Sequence, residues 1–184
     1  MTECIHPRRL TTAIVCLLAV APLAATAHAA GRTVEITADT PAQEVNTYYS
    51  MLAHGPTQKF YRLPAAGIVV VVGSGDTKPN ASATIHVFPE TATAEGIDKW
   101  INNCHSDAIF ADAAEPERSI PVSAERFHAT VSKPLEHVVG PNGDEYDRVR
   151  IDFTIDAFEE SGVTVKSSRG SLDAFLRTKD LPKP

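Results

Sequence analysis

His128, Asp152 and Asp156 are the residues best placed for chemistry. They fall on the polar sides of two strictly alternating runs, Arg126 to Ser132 and Arg148 to Asp156. A turn near Asn142 pairs those runs as a hairpin, with His128 about opposite Asp156, Thr130 by Thr154 and Ser132 by Asp152. Cross-strand neighbours stand about 5 Å apart, within reach of a histidine–carboxylate hydrogen bond, a shared metal ion or acid–base catalysis. An ordinary solvated sheet face carries such pairs too, so these three residues are ligand or metal candidates and no more.

Cys104, His105 and Asp107 form a second candidate, a thiol site. A nucleophilic thiol needs its pKa lowered by a base or a helix N-terminus. Cys104 instead falls at the C-terminal end of a helical pattern, where the dipole disfavours thiolate. Adjacent helical residues do not face one another, so His105 reaches the thiol only through a turn. Cys104 also continues the apolar stripe of Ile97, Trp100 and Ile101, which predicts a buried core thiol. A catalytic thiol and a link to another chain are the alternatives.

Other motifs fail on spacing. No His-x-x-x-His or Cys-x-x-Cys pair occurs, so a compact zinc motif is missing. Gly73-Ser74-Gly75 lacks the third glycine of a dinucleotide fingerprint, and Pro79-Asn80 follows where a helix must begin. A hairpin loop is the plainer reading. Asn142, Asp144, Glu145 and Asp147 offer oxygens but match no calcium-loop spacing. No cofactor follows from any of these residues.

The elements that must position the candidates follow from periodicity. Arg32 to Asp39 alternates around Val34 and Ile36 as a strand. Thr40, Pro41 and Gln43 make a capping box, and Val45, Tyr48, Tyr49 and Leu52 share one helical face, predicting a helix over 41–53 ended by Gly55-Pro56. Ile68 to Val72 is a run of β-branched residues, the mark of a central strand buried on both faces. Ala83 to Phe88 follows as its hairpin partner. Ile97, Trp100, Ile101 and Cys104 predict a second helix over 94–104, and the acidic stretch 106–118 a surface loop. Ile120 to Val122 is a short strand. Pro134 makes the base of the late hairpin irregular or an edge. Val163 and Val165 suggest a strand, and Ser171 to Lys179 reads as a last helix or as a strand with Leu172, Ala174 and Leu176 inward, the helix being preferred.

That order predicts an α+β fold, a mainly antiparallel sheet with two or three helices. A β-sandwich with helical insertions is the alternative.

Residues 1–30 read as a signal peptide. Arg8-Arg9 precede an apolar run from Leu10 to Ala21, Pro22 breaks it, and Ala27-His28-Ala29 offers a small-x-small cleavage site. The run is shorter than the roughly 20 residues a membrane span needs. Cleavage leaves residues 31–184 as one globular domain with Cys104 as its remaining cysteine and no transmembrane segment, working in the periplasm or as a secreted protein. Net charge is −6, from 17 basic and 23 acidic residues, which argues against nucleic acid as a partner.

The expectation is an exported, non-catalytic binding or accessory protein that engages a small ligand or a partner protein. A small exported enzyme using a His/Asp or Cys/His site is one alternative. An envelope component or subunit of a larger complex, with the acidic 107–117 loop as its contact surface, is another.

Overall fold

The computed structural model describes residues 31–46, 57–74, 81–104, 109–140 and 143–180. They form twelve strands: β1 (Arg32–Val34), β2 (Ala42–Asn46), β3 (Thr57–Leu63), β4 (Ile68–Ser74), β5 (Ala81–Val87), β6 (Arg118–Pro121), β7 (Phe127–Val131), β8 (Glu136–Val139), β9 (Glu145–Ile155), β10 (Phe158–Glu160), β11 (Val163–Val165) and β12 (Ser168–Arg177). Among the described residues there is one α-helix, α1 (Ala94–Asn103). The expectation of two or three helices is therefore corrected. No described helix is long and apolar enough to cross a membrane.

The strands make three sheets. The largest runs β2-β3-β4-β5-β6, all antiparallel. The second runs β12-β9-β7, with β8 also paired to β9. A small third sheet, β1-β11-β10, carries a parallel pair, β1 with β11. Val34, Val70, Ile85, Val149, Ile151, Val163 and Leu172 belong to one buried cluster, so all three sheets share a core.

β4 is the central strand that its composition predicts. Ile68, Val70 and Val72 point into the common core, while Val69 packs on the other face with Phe60, Phe88, Ile97 and Ile101. α1 covers that outer face. Thr93 caps it, its hydroxyl accepting from the Gly96 N–H at 3.0 Å. Gly96 sits at a close approach: a Cβ there would stand 3.2 Å from the Ala114 Cβ, tighter than most such contacts, and the Ala114 N–H donates to the Gly96 carbonyl at 2.9 Å.

The helix expected over 41–53 is corrected by β2. Residues 42–46 pair with β3 from Ala42 opposite Tyr61 to Asn46 opposite Thr57; residues 47–53 lie outside those described. The capping residue does a different job, because the Thr40 hydroxyl accepts from the Thr37 N–H at 2.9 Å and closes a turn. The last helix is overturned as well. Residues 168–177 pair with β9 over their whole length, and Leu172, Ala174 and Leu176 point inward while Phe175 packs on the opposite face with Tyr146. β10 and β11 join through Ser161-Gly162, both at positive φ (52° and 74°), the geometry of a tight two-residue hairpin loop.

Candidate functional site

The late hairpin forms, with a register different from the expected one. His128 stands opposite Thr154 and Thr130 opposite Asp152. Beyond the break, Glu136 stands opposite Arg148. The strand partner of β9 therefore gains two residues between Val131 and Glu136, where Ser132 N–H donates to the Arg150 carbonyl and Leu135 N–H to the Arg148 carbonyl, each at 2.8 Å. Pro134, which has no N–H, sits in that bulge.

The expected pairing of His128 with Asp156 survives the shift as a diagonal contact. His128 Nε2 lies 3.1 Å from Asp156 Oδ2, both side chains being more than half exposed. Asp152 does not join them. Its carboxylate accepts from Arg150 Nε at 3.1 Å. Among the described residues no cluster of three or more His, Cys, Asp or Glu side chains is disposed to hold a metal ion. The polar face thus carries a histidine–aspartate pair beside an arginine–aspartate pair.

Asp152 leads to a different site. It lines a groove of about 440 Å³ between the free edge of β12, the connection from β1 to β2, and β3. Lys59 and Tyr61 project from one side, Arg150 and Asp152 from β9, and Arg169 and Ser171 from β12. The floor is held by hydrogen bonds. The Ser171 carbonyl, on the edge of its sheet, accepts from Tyr61 Oη at 2.9 Å and from Lys59 Nζ at 2.8 Å. Arg150 Nη2 donates to Ser171 Oγ at 2.8 Å. These bonds also blunt an edge that would otherwise be open to another strand. Burial pushes the Tyr61 hydroxyl up to about 12, so it stays a neutral donor.

Lys59, Tyr61 and Arg169 were not legible as site residues. Lys59 and Tyr61 belong to β3, which alternates Phe60 against α1 with Tyr61 in the common core, so neither side reads as polar. Arg169 lies more than a hundred residues further on. The one local hint was the outward row Arg148, Arg150 and Asp152 of β9.

Of the thiol candidate, Cys104 lies among the described residues. Cys104 is exposed and not a core residue, because α1 ends there and the helical stripe turns off the sheet after Ile101. Partial cover and the nearby Glu115 carboxylate raise its pKa, which disfavours thiolate. His105 and Asp107 lie outside the described residues. Two further histidines make polar contacts: His86 Nδ1 lies 2.9 Å from Ser119 Oγ with its ring against Trp100, and burial lowers its pKa. His137 Nδ1 lies 3.0 Å from the buried Asp147.

No family model matches this chain, and neither the curated proteins nor the solved structures contain a match.

Proposed function

We propose that the chain is an exported, non-catalytic binding protein that takes a small ligand in the groove beside Asp152. One observation carries the reading: polar side chains from three distant strands converge on a cavity of about 440 Å³, within the size range of small-molecule sites. The Lys59, Tyr61, Arg150 and Ser171 side chains are held by hydrogen bonds, so the ligand meets a partly pre-ordered wall. The raised Cys104 pKa weighs against a thiol enzyme, and the open exposure of His128 and Asp156 weighs against a water-excluded acid–base site. The layering of sheets over one core favours the β-sandwich description of the scaffold. Export is supported by the basic, apolar and small-x-small order of residues 1–30.

A thermal-shift screen of small metabolites tests the site. Compounds raise the melting temperature of the wild type and fail to do so for Ala38→Trp, which fills the groove from its exposed rim. Equal stabilisation of both proteins contradicts the reading. Amino-terminal sequencing of protein from its host tests export, with Ala30 or Gly31 as the expected first residue.

A second reading, a subunit that docks a partner protein, has its own observation. Ile109 is 88% exposed and Phe110 37%, yet the Phe110 backbone is pinned to the Asn103 side chain by bonds of 2.8 and 3.2 Å. An apolar tip held in place suits a contact surface. Loss of a co-purifying partner from Ile109→Asp supports it, and an unchanged monomer counts against it.

A further inference from the structure

We infer that the groove selects an anion, a small ligand bearing a carboxylate or a phosphate group. The inference rests on the groove being a ligand site and goes on to name the ligand chemistry.

Several donors on the groove wall are left over after the protein's own bonds are made. Lys59 Nζ gives one N–H to the Ser171 carbonyl at 2.8 Å and stands 3.5 Å from the Glu44 carboxylate. Among the described residues its third N–H makes no hydrogen bond. Arg150 commits Nε to Asp152 and Nη2 to Ser171 Oγ, which leaves its Nη1 end. Ser171 Oγ accepts from Arg150 and keeps its own proton to donate. Arg169 is the least committed. Its backbone N–H donates to the Ile36 carbonyl at 3.1 Å, and among the described residues its guanidinium makes no ion pair.

Acceptors are scarce by comparison. Asp152 is the one acidic side chain among the described residues lining the groove, and Arg150 already neutralises it. Tyr61 keeps an oxygen lone pair, but burial keeps it from becoming a phenolate. Three cations face two carboxylates, Asp152 on Arg150 and Glu44 at 3.5 Å from Lys59, which leaves Arg169 as the unbalanced positive charge on a chain of net charge −6. A forked guanidinium with no ion pair among the described residues matches the planar oxygens of a carboxylate or the face of a phosphate.

The larger cleft, about 620 Å³ beside Pro64 and α1, does not repeat this pattern. Its Arg32 donates to the Phe88 carbonyl and lies near Glu117, and its Arg62 pairs with Asp98. Its remaining wall is mainly apolar.

Calorimetric titration of the full mature chain with inorganic phosphate, succinate, glycerol and tetramethylammonium tests the inference. Phosphate or succinate binds, added sodium chloride weakens it, and the tighter of the two names the source of the anionic group. Arg169→Gln weakens that binding about tenfold or more, the equivalent of one charge-assisted hydrogen bond. Arg169→Lys weakens it less. The side chain is exposed at the groove wall, so neither variant threatens folding, which the melting temperature verifies. Binding of neither anion, or binding that Arg169→Gln leaves unchanged, overturns the inference. Glycerol or tetramethylammonium binding that Ala38→Trp abolishes keeps the groove and removes the anion. Anion binding that Ala38→Trp leaves intact removes the groove itself.

Discussion

A Cβ on Gly170 would stand 2.6 Å from the Tyr61 hydroxyl oxygen. That approach lets β3 meet β12 beneath the groove, because the absent side chain makes room for the phenol to reach the Ser171 carbonyl. The Phe153 ring closes the other side, at 2.7 Å from the same position. Phe153 is itself fixed, edge-to-face with Tyr61 and stacked on Phe127 at 5.6 Å.

Gly170→Ala therefore overpacks a contact whose neighbours are aromatic rings held on both sides. The expected cost is about 1–3 kcal/mol. Urea denaturation measures it, and an unchanged midpoint would mean that the two sheets do not meet as closely as described.

Tyr61→Phe removes one of two donors to the Ser171 carbonyl and leaves Lys59 in place. Its expected cost at neutral pH is about 0.5–1.5 kcal/mol. The pH dependence carries more information. Burial raises the Tyr61 pKa from 10.0 to about 12, so the folded state holds the phenol proton more tightly than the unfolded chain. The contribution is intact below pH 10 and is lost as the pH climbs through about 12. Urea midpoints across that window fall more steeply for the wild type than for Tyr61→Phe. Parallel curves would show an exposed, ordinary phenol.

Cys104 is accessible, yet its pKa is raised. A disulfide reagent modifies it without denaturant, more slowly at neutral pH than a free cysteine. Glu115→Gln speeds the reaction by removing a negative charge. Rapid modification at neutral pH would restore the thiol-enzyme reading, and complete protection would restore the core thiol.

The path of residues 168–177 is testable by position. Leu172→Ala costs about 2–5 kcal/mol, as for other buried leucines. Ala174→Asp, which places an unpaired charge in the common core, abolishes folding. A helix with Leu172, Phe175 and Leu176 inward leaves Ala174 off its buried side and tolerates the aspartate.

These contrasts mark where local pattern and tertiary structure part company. β4 was legible because both its faces are buried, so a plain run of β-branched residues suffices. α1 was legible because its one apolar stripe meets one sheet face. β2 and β12 were not. Thr40 and Pro41 signal a cap, but β3 offers five residues of backbone pairing to 42–46 and wins. Phe175 is covered by Tyr146 on the face opposite Leu172, which blurs the alternation and leaves a false helical stripe. The hairpin register slipped because the bulge at Ser132–Leu135 has no length signature in the sequence. His128 and Asp156 met across it because adjacent diagonal positions are close enough. The groove could not be read at all, since Tyr61 and Ser171 touch at a sequence separation of 110.

The most direct test of the groove is amide shift mapping by NMR with a compound that raises the melting temperature. The account predicts that perturbed amides gather at residues 37–42, 58–62 and 168–172. Shifts gathered around His128 and Asp156, or beside Pro64 and α1, with those three segments unmoved, would contradict it.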